Sequence, residues 1–182
     1  MSEIVDSGMV PRITVRDVEK VDVPVLTAIK GVGTETLHRD RLRDAQSTGF
    51  RYLVLLADKE IVGFACLVIR RPQYWSDADD TQHLPQIVDL QIKESHRGRG
   101  YGSDFLRAIE RIASEAGYAH LYLSVGPLNN PRAYALYQRL GYEKIQSEPY
   151  RKIWEFHDSD GKKHHGEDWV VDMVKQLNRE VI

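Results

Sequence analysis

The sequence predicts a single domain of the α+β class over residues 1–182, and three observations lead to this class. The size of 182 residues suits one ordinary domain, and 42% of them are hydrophobic, which is enough for a core. Hydrophobic periodicity gives the element order β-α-α-β-β-β-α-β-α-β-β, which is typical of α+β domains. Residues 86–125 form a strand–helix–strand unit, which predicts one parallel strand pair joined by a right-handed crossover.

The N-terminal half predicts two helices between a first strand and a hairpin. Pro24 restricts where the first helix begins, because proline is tolerated only in the first turn. Gly31 and Gly33 end that helix. The predicted elements are a flexible start at 1–10, a strand at 12–16, helices at 18–29 and 34–46, and hairpin strands at 51–57 and 61–70.

A long polar loop at 72–85 follows the hairpin. Loops of this length inside a compact domain are often functional or disordered. Tyr74 and Trp75 favour a loop that covers a binding site as a lid. The acidic side chains beside them are expected to be solvated.

The C-terminal half predicts four strands and two helices. Alternation along the first strand puts Val88, Leu90 and Ile92 on one face and Asp89 and Gln91 on the other. The predicted elements are a strand at 86–92, a helix at 102–116, a strand at 121–125, a helix that begins at 131 and stops at 141, and strands at 150–157 and 169–177 joined by a polar turn at 158–166.

The composition argues against several classes of protein. The formal net charge is −2, without the basic excess of a nucleic-acid-binding protein. No apolar stretch approaches the roughly 20 residues of a membrane span, and the start does not resemble a signal peptide, so the predicted location is the cytoplasm. Cys66 is the single cysteine, and its apolar neighbours predict a buried thiol rather than a nucleophile.

A glycine-rich loop between a predicted strand and a predicted helix indicates an anion site. Glycines let backbone N–H groups approach a phosphate without an intervening Cβ, and the following helix start points unpaired N–H groups at the same place. Two arginines add positive charge. The loop consists of Arg97, Gly98, Arg99, Gly100, Tyr101 and Gly102, and Ser103 follows it.

The spacing of the glycines narrows the class of anion. The P-loop pattern is absent, and Gly98, Gly100 and Gly102 do not match the dinucleotide pattern Gly-x-Gly-x-x-Gly. Taken alone, the loop is also explained by a tight glycine-rich turn that binds nothing.

Two blocks together resemble the core of the GNAT acetyltransferases. The first, Arg97-x-x-Gly100-x-Gly102, is similar to the family signature Arg/Gln-x-x-Gly-x-Gly/Ala. The second, one strand further on, is similar to the family pattern Asn-x-x-Ala-x-x-Leu-Tyr-x-x-Leu-Gly-Phe/Tyr and consists of Asn130, Ala133, Leu136, Tyr137, Leu140, Gly141 and Tyr142. The resemblance covers about residues 12–146. It implies the GNAT fold: a mixed, mostly antiparallel sheet of about seven strands, with a splayed parallel pair at 86–92 and 121–125, flanked by about four helices.

The resemblance also implies acetyl-coenzyme A as the cosubstrate, and no metal. The pyrophosphate is expected on the backbone of residues 97–102 and on Ser103. The pantetheine arm is expected to pair with the strand backbone at Leu90, Gln91 and Ile92. A backbone N–H near Leu90 is expected to polarise the thioester carbonyl.

Tyr137 is implied as the general acid that protonates the leaving thiolate, and Asn130 as a further cofactor contact. An inward tyrosine on an amphipathic helix is also a normal core residue. The base stays open, because Gln86 and Ser124 stand where relatives carry a carboxylate. Asp89, a histidine or water is then the base. Asp89 is equally explained as a solvated or salt-bridged strand residue.

The expected reaction is transfer of acetyl to the primary amine of a small molecule, of the polyamine or aminoglycoside kind, by direct attack in a ternary complex. A protein lysine or N-terminus is the alternative acceptor. A non-catalytic acyl-coenzyme A-binding module is the alternative function, because the family carboxylates are missing at Gln86 and Ser124. The long C-terminal hairpin suggests a homodimer.

Overall fold

The structure, a computed structural model, describes residues 11–46, 49–70, 84–158 and 160–177. The expected flexible start at 1–10 and the aromatic pair of the 72–85 loop lie outside the described residues.

The described part of the chain forms one mixed sheet. Its strands are β1 (Ile13–Asp17), β2 (Phe50–Ala57), β3 (Glu60–Val68), β4 (Gln86–Ile92), β5 (His120–Val125), β6 (Glu143–Lys144), β7 (Tyr150–His157) and β8 (Lys163–Gln176). They are ordered β1-β2-β3-β4-β5-β8-β6, with β7 also paired to β8. All pairs are antiparallel except β4 with β5. The predicted fold class is confirmed. The additional strand, β6, is too short to leave a periodic pattern in the sequence.

Four α-helices in the described ranges accompany this sheet. They are α1 (Val23–Lys30), α2 (Glu35–Asp44), α3 (Tyr101–Glu115) and α4 (Pro131–Arg139). α1 begins later than predicted, because Pro24 has to lie in its first turn, and a short 3₁₀ turn at Lys20–Asp22 precedes it.

Buried side chains form one cluster on each face of the sheet. The larger cluster includes Phe105 of α3, Tyr137 of α4 and Leu123 of β5. The smaller includes Leu26 of α1 and Phe64 of β3, with a residue of α2 packed against it. Full burial of such a side chain stabilises the fold by about 1.5–3 kcal/mol. α3 and α4 therefore cover one face of the sheet, and α1 and α2 cover the other.

A β-bulge in β4 changes which face its residues occupy. Gln91 pairs with Phe64, but Val88 pairs with Cys66, so β4 contains one more residue than β3 between these pairs. Asp89 has φ 52°, in the left-handed region that aspartate tolerates better than most residues. Val88 packs against the cluster under α1 and α2, whereas Leu90 and Ile92 pack against the other cluster. The predicted strict alternation along this strand is therefore wrong at the bulge.

The C-terminal hairpin is longer than predicted. β8 begins at Lys163, so the polar turn ends before that residue rather than at 166. Asp158 closes this turn, since its Oδ1 accepts hydrogen bonds from the backbone N–H groups of Asp160 and Lys162. The outer part of β8 projects beyond the core and is polar, so the sequence there shows no hydrophobic pattern that would predict a strand. Pairing of two hairpins into a homodimer stays a prediction.

Candidate active site

The parallel strands β4 and β5 separate after a short ladder. Gln86 pairs with Tyr122 and Ile87 with Leu123, and the parallel register ends there. Beyond this point β4 continues along β3, while β5 continues along β8. Parallel strands that diverge leave N–H and C=O groups on their facing edges without ladder partners. This gap, the β4/β5 opening, can therefore pair with an extended ligand.

The glycine loop, residues 97–102, follows β4 and leads into α3. Gly98 and Gly100 have φ of 76° and 90°, in the region that favours glycine. A Cβ built on either residue would meet nothing within 4 Å, so this backbone borders open space. Gly100 is also the N-cap of α3 and offers no side chain to the first-turn N–H groups. The loop can thus bind an anion through its backbone.

The side chains of the glycine loop have different surroundings. Arg97 Nε donates to the carbonyl oxygen of Ile92 at 2.9 Å, which ties the loop to the end of β4. Arg99 is exposed and free to reach a phosphate. Tyr101 is buried against His96, with ring centroids 5.6 Å apart, so it offers its backbone rather than its hydroxyl. An open cavity of about 480 Å³ lies between α1 and Arg97.

Gly102 brings the two sequence blocks into contact. A Cβ on Gly102 would lie 3.3 Å from Cδ2 of Leu136 in α4 and 4.0 Å from Cγ1 of Ile92 in β4. The shorter distance is tighter than ordinary carbon contacts, so glycine allows α3 to approach α4 closely. Ser103 follows in the first turn and is half-buried. The glycine loop, the end of β4 and the helix of Tyr137 therefore meet.

Tyr137 lies on the inner face of α4, directly after Leu136. Its side chain is 9% exposed, and its ring packs edge-on against Tyr142 with centroids 5.9 Å apart. Burial raises the pKa of Tyr137 to about 12, so the phenol stays protonated at neutral pH. This geometry fits a core residue and a proton donor alike.

Asn130 caps α4, as its position in the second block suggests. Its Oδ1 accepts a hydrogen bond from the backbone N–H of Ala133 at 3.3 Å. Such a cap contributes about 1 kcal/mol to helix stability. The predicted contact of Asn130 with the cofactor stays a prediction.

Asp89 is held by two cations on the face covered by α1 and α2. Its Oδ2 lies 2.6 Å from Nζ of Lys30 and 2.6 Å from Nη1 of Arg41, and Gln91 Nε2 donates to its Oδ1 at 3.0 Å. Burial opposes ionisation of Asp89, but Arg41 and Lys30 outweigh burial and hold its pKa well below the usual range. A carboxylate in this state is a poor proton acceptor. The geometry therefore favours the salt-bridged alternative over the base.

A buried histidine lies on the same face of the sheet as Asp89, the face that α1 and α2 cover. His38 of α2 is fully buried, its Nδ1 is hydrogen-bonded to the Tyr52 hydroxyl, and its Nε2 lies 3.3 Å from Thr34 Oγ1. Burial and the charge of Arg41 lower the pKa of His38 to about 4, so the ring is neutral at physiological pH. Its contacts give it a structural role.

The structure adds one carboxylate that the sequence did not single out. Asp172 of β8 lies opposite Ser124 of β5, and Ser124 Oγ donates to its Oδ1 at 2.6 Å. Gln86 Nε2 donates to Ser124 Oγ at 3.0 Å, and the Tyr150 hydroxyl donates to Asp172 Oδ1 at 3.0 Å. The signal available was an aspartate inside the otherwise apolar run at 169–174. Its partner strand could not be deduced from sequence.

Other candidate groups have structural explanations. Cys66 is buried, and burial raises the pKa of its thiol to about 11, as expected for a core cysteine. Among the described residues, no group of three His, Cys, Asp or Glu side chains is arranged to hold a metal ion. No α-helix in the described ranges is long and apolar enough to cross a bilayer.

Comparison with known proteins identifies the family. The model of the acetyltransferase (GNAT) family matches residues 18–142, which is more than half of the chain. The chain therefore belongs to the GNAT acetyltransferase family. This confirms the resemblance seen in the two sequence blocks, and with it the predicted class of domain, an acetyltransferase.

One similar protein is named as a streptothricin acetyltransferase. The chain is 33% identical to streptothricin acetyltransferase of Streptomyces lavendulae over 99 residues, which cover 54% of this chain and 46% of that protein. The chain thus spans about half the length of the curated relative that it matches.

Solved structures share the fold. A phosphinothricin acetyltransferase from Sinorhizobium meliloti, in complex with acetyl-coenzyme A, is 20% identical with a TM-score of 0.63 and covers 95% of this chain and 91% of its own. A ribosomal-protein-alanine N-acetyltransferase from Brucella melitensis is 19% identical with a TM-score of 0.62 and covers 90% of this chain and 99% of its own. At these identities the likeness shows the fold, and the acceptors of the two neighbours differ.

Proposed function

We propose that this protein transfers acetyl from acetyl-coenzyme A to the primary amine of a small molecule. The observation that carries the proposal is the meeting of the glycine loop, the β4/β5 opening and the helix of Tyr137 in one place. The pyrophosphate binds the backbone of residues 97–102 and Ser103. The pantetheine arm pairs with the edge of β4 from Leu90 to Ile92, which places the thioester in the opening.

The chemistry is one displacement at the thioester carbonyl. The amine nitrogen forms a bond to the carbonyl carbon, and the backbone N–H near Leu90 stabilises the developing oxyanion. The C–S bond then breaks, the nitrogen releases a proton to solvent, and the hydroxyl of Tyr137 donates a proton to the thiolate sulfur and is reprotonated from solvent. The proposed attack by the amine is direct, and the single thiol, that of Cys66, is buried and not available to form a thioester intermediate.

Two observations support a small acceptor. The C-terminal hairpin lies against the α1–α2 connection, where a Cβ on Gly33 would be 3.7 Å from Cβ of Asp158. This contact narrows access to the sheet face that α1 and α2 cover. The identity to streptothricin acetyltransferase, a small-molecule enzyme by name, points the same way.

In this proposal Asp89 positions other groups rather than accepting a proton. Its ion pairs join Lys30 of α1 and Arg41 of α2 to β4 at the bulge. The bulge lies directly before Leu90, and a bulge changes the direction of the backbone that follows it. Loss of Asp89 is therefore expected to alter the site through its geometry.

The test is an acceptor panel with acetyl-coenzyme A, in which free thiol and acetylated product are both measured. The panel contains streptothricin, phosphinothricin, spermidine, an aminoglycoside and an alanine-ended peptide. Thiol release with a small amine, and less with the peptide, is the expected result. Thiol release with the peptide alone would overturn the small-molecule proposal, and none with any amine would overturn acetyl transfer.

A further inference from the structure

Four polar residues form a hydrogen-bonded chain at the closed end of the β4/β5 opening. Gln86 donates to Ser124, and Ser124 and Tyr150 both donate to Oδ1 of Asp172. Gln86 and Asp172 are only 3% and 8% exposed. Burying polar groups at a sheet surface costs free energy unless they are hydrogen-bonded. Any buried atom of these four residues that lacks a partner therefore needs an explanation.

Two acceptor atoms in the chain have no donor. Ser124 uses its one proton on Asp172 and can only accept from Gln86, which fixes the amide of Gln86 with Nε2 towards Ser124. Gln86 Oε1 is then left buried, with no hydrogen-bond partner among the described residues. Among the residues that the structure describes, none donates to Asp172 Oδ2 and no cation pairs with Asp172. One carboxylate oxygen and one amide oxygen without donors fit a ligand rich in N–H groups, and an ammonium group has three.

This hydrogen-bonded chain lies where an acceptor amine has to reach the thioester. Gln86 and Ser124 flank the last parallel pair, Ile87 with Leu123, after which the strands separate. Ile87 and Leu123 face the cluster under α3 and α4, so their neighbours along each strand face α1 and α2. Tyr137 approaches from the α4 side. The thioester in the opening thus has its proton donor, Tyr137, on one face of the sheet, and the hydrogen-bonded residues that include Asp172 on the other face.

We propose that Asp172, together with Gln86 Oε1, binds the ammonium group of the acceptor and removes a proton from it, an assignment that rests on the proposed acetyl transfer. Asp172 takes one proton from the ammonium and later releases it to solvent. The freed lone pair forms the C–N bond. The nitrogen loses a second proton to solvent as the C–S bond breaks, while Tyr137 donates its proton to the thiolate and regains one from solvent. Asp89, already paired with two cations, cannot take this part.

Asp172→Asn is the direct test, with Asp168→Asn as its matched control. Asp168 lies on the same strand, but its carboxylate accepts hydrogen bonds from Asn129, between β5 and α4, and from Trp154 on the hairpin, and it is not part of the hydrogen-bonded chain. We expect Asp172→Asn to bind acetyl-coenzyme A as the wild type does and to lower kcat/KM for an accepted amine by roughly 10²–10⁴-fold at neutral pH. The deficit narrows as pH rises, because the variant needs an amine that is already neutral. Wild-type kcat/KM and an unchanged pH profile would overturn the proposal.

A binding measurement separates this proposal from acetyl transfer itself. Calorimetry with butylamine in the presence of coenzyme A needs no turnover. Binding to the wild type and to Asp168→Asn, and its loss in Asp172→Asn, supports the ammonium site even if no thiol is ever released. Equal binding by all three proteins overturns it even if acetyl transfer is real. If Asp172→Asn does not fold, Ser124→Ala replaces it in both measurements, and an unchanged kcat/KM and butylamine affinity in that variant would equally refute the site.

Discussion

Asp89→Asn tests whether the buried ion pairs hold the site together. The side chains of Asp89, Lys30 and Arg41 are 11%, 21% and 15% exposed, and both cations lie 2.6 Å from the carboxylate. Asparagine tolerates the left-handed backbone at this bulge, so the substitution removes the charge and leaves the backbone unstrained. It leaves two neighbouring buried cations without their counter-ion.

The expected cost follows from this burial. Breaking a buried pair by removing one partner costs about 3–5 kcal/mol. For a domain of this size 1 kcal/mol shifts Tm by about 2–4 °C, so Tm should fall by roughly 10 °C. The control is Asp17→Asn, which breaks the exposed pair with Arg51 at 2.7 Å, with side chains 62% and 38% exposed. Exposed pairs contribute about 0.2–1 kcal/mol.

The assay is urea unfolding of both variants at neutral pH and low salt, compared with the wild type. A free energy of unfolding for Asp89→Asn within about 1 kcal/mol of that for Asp17→Asn would refute the reasoning, because a buried counter-ion would then be dispensable. Residual activity should keep the pH dependence of the wild type. Loss of the acidic limb, on which activity rises as the base deprotonates, would restore Asp89 as the base.

Three further predictions concern the cofactor, the acid and the buried histidine. Gly100→Ala and Gly117→Ala replace glycines with the same φ of 90° and should each cost about 1–2 kcal/mol of stability, but only Gly100→Ala should weaken coenzyme A binding in calorimetry. Equal affinities would remove the loop from the site. Tyr137→Phe should lower kcat by about 10²-fold or more with little change in acetyl-coenzyme A affinity, and an unchanged kcat would leave Tyr137 a core residue. The pKa of His38 is about 4 when folded, below its unfolded value of about 6.5, so stability should fall by about 3 kcal/mol as pH drops through this interval, and His38→Gln should abolish that loss in urea unfolding.

Sequence reasoning succeeded where the signal was local. The helix after the glycine loop has apolar residues at helical spacing, and the structure places α3 at Tyr101–Glu115. Pro131 after Asn130 marked the start of α4, and the N-cap hydrogen bond is present. These elements depend on residues close together in the chain, which a periodic pattern or a cap can reveal.

Long-range features were out of reach. The bulge at Asp89 shows only in the register against β3, and the ion pairs of Asp89 come from two helices far along the chain. Asp172 stands beside Ser124 because β8 returns to pair with β5. A pattern along one strand holds no information about which strand will lie beside it. For that reason the sequence showed only that Ser124 is not a carboxylate. It could not show that Asp172 of the distant strand β8 lies beside Ser124.

Direct transfer of acetyl to an amine is tested most closely by a single turnover with acetyl-coenzyme A and the best acceptor from the panel. Free thiol and acetylated amine, measured by mass spectrometry on the same sample, should appear in equal amounts and at equal rates. The intact protein, incubated with acetyl-coenzyme A alone, should keep its unmodified mass. An acetylated protein that forms without an acceptor, with the acetyl group on Ser124 or another nucleophile, would contradict the account.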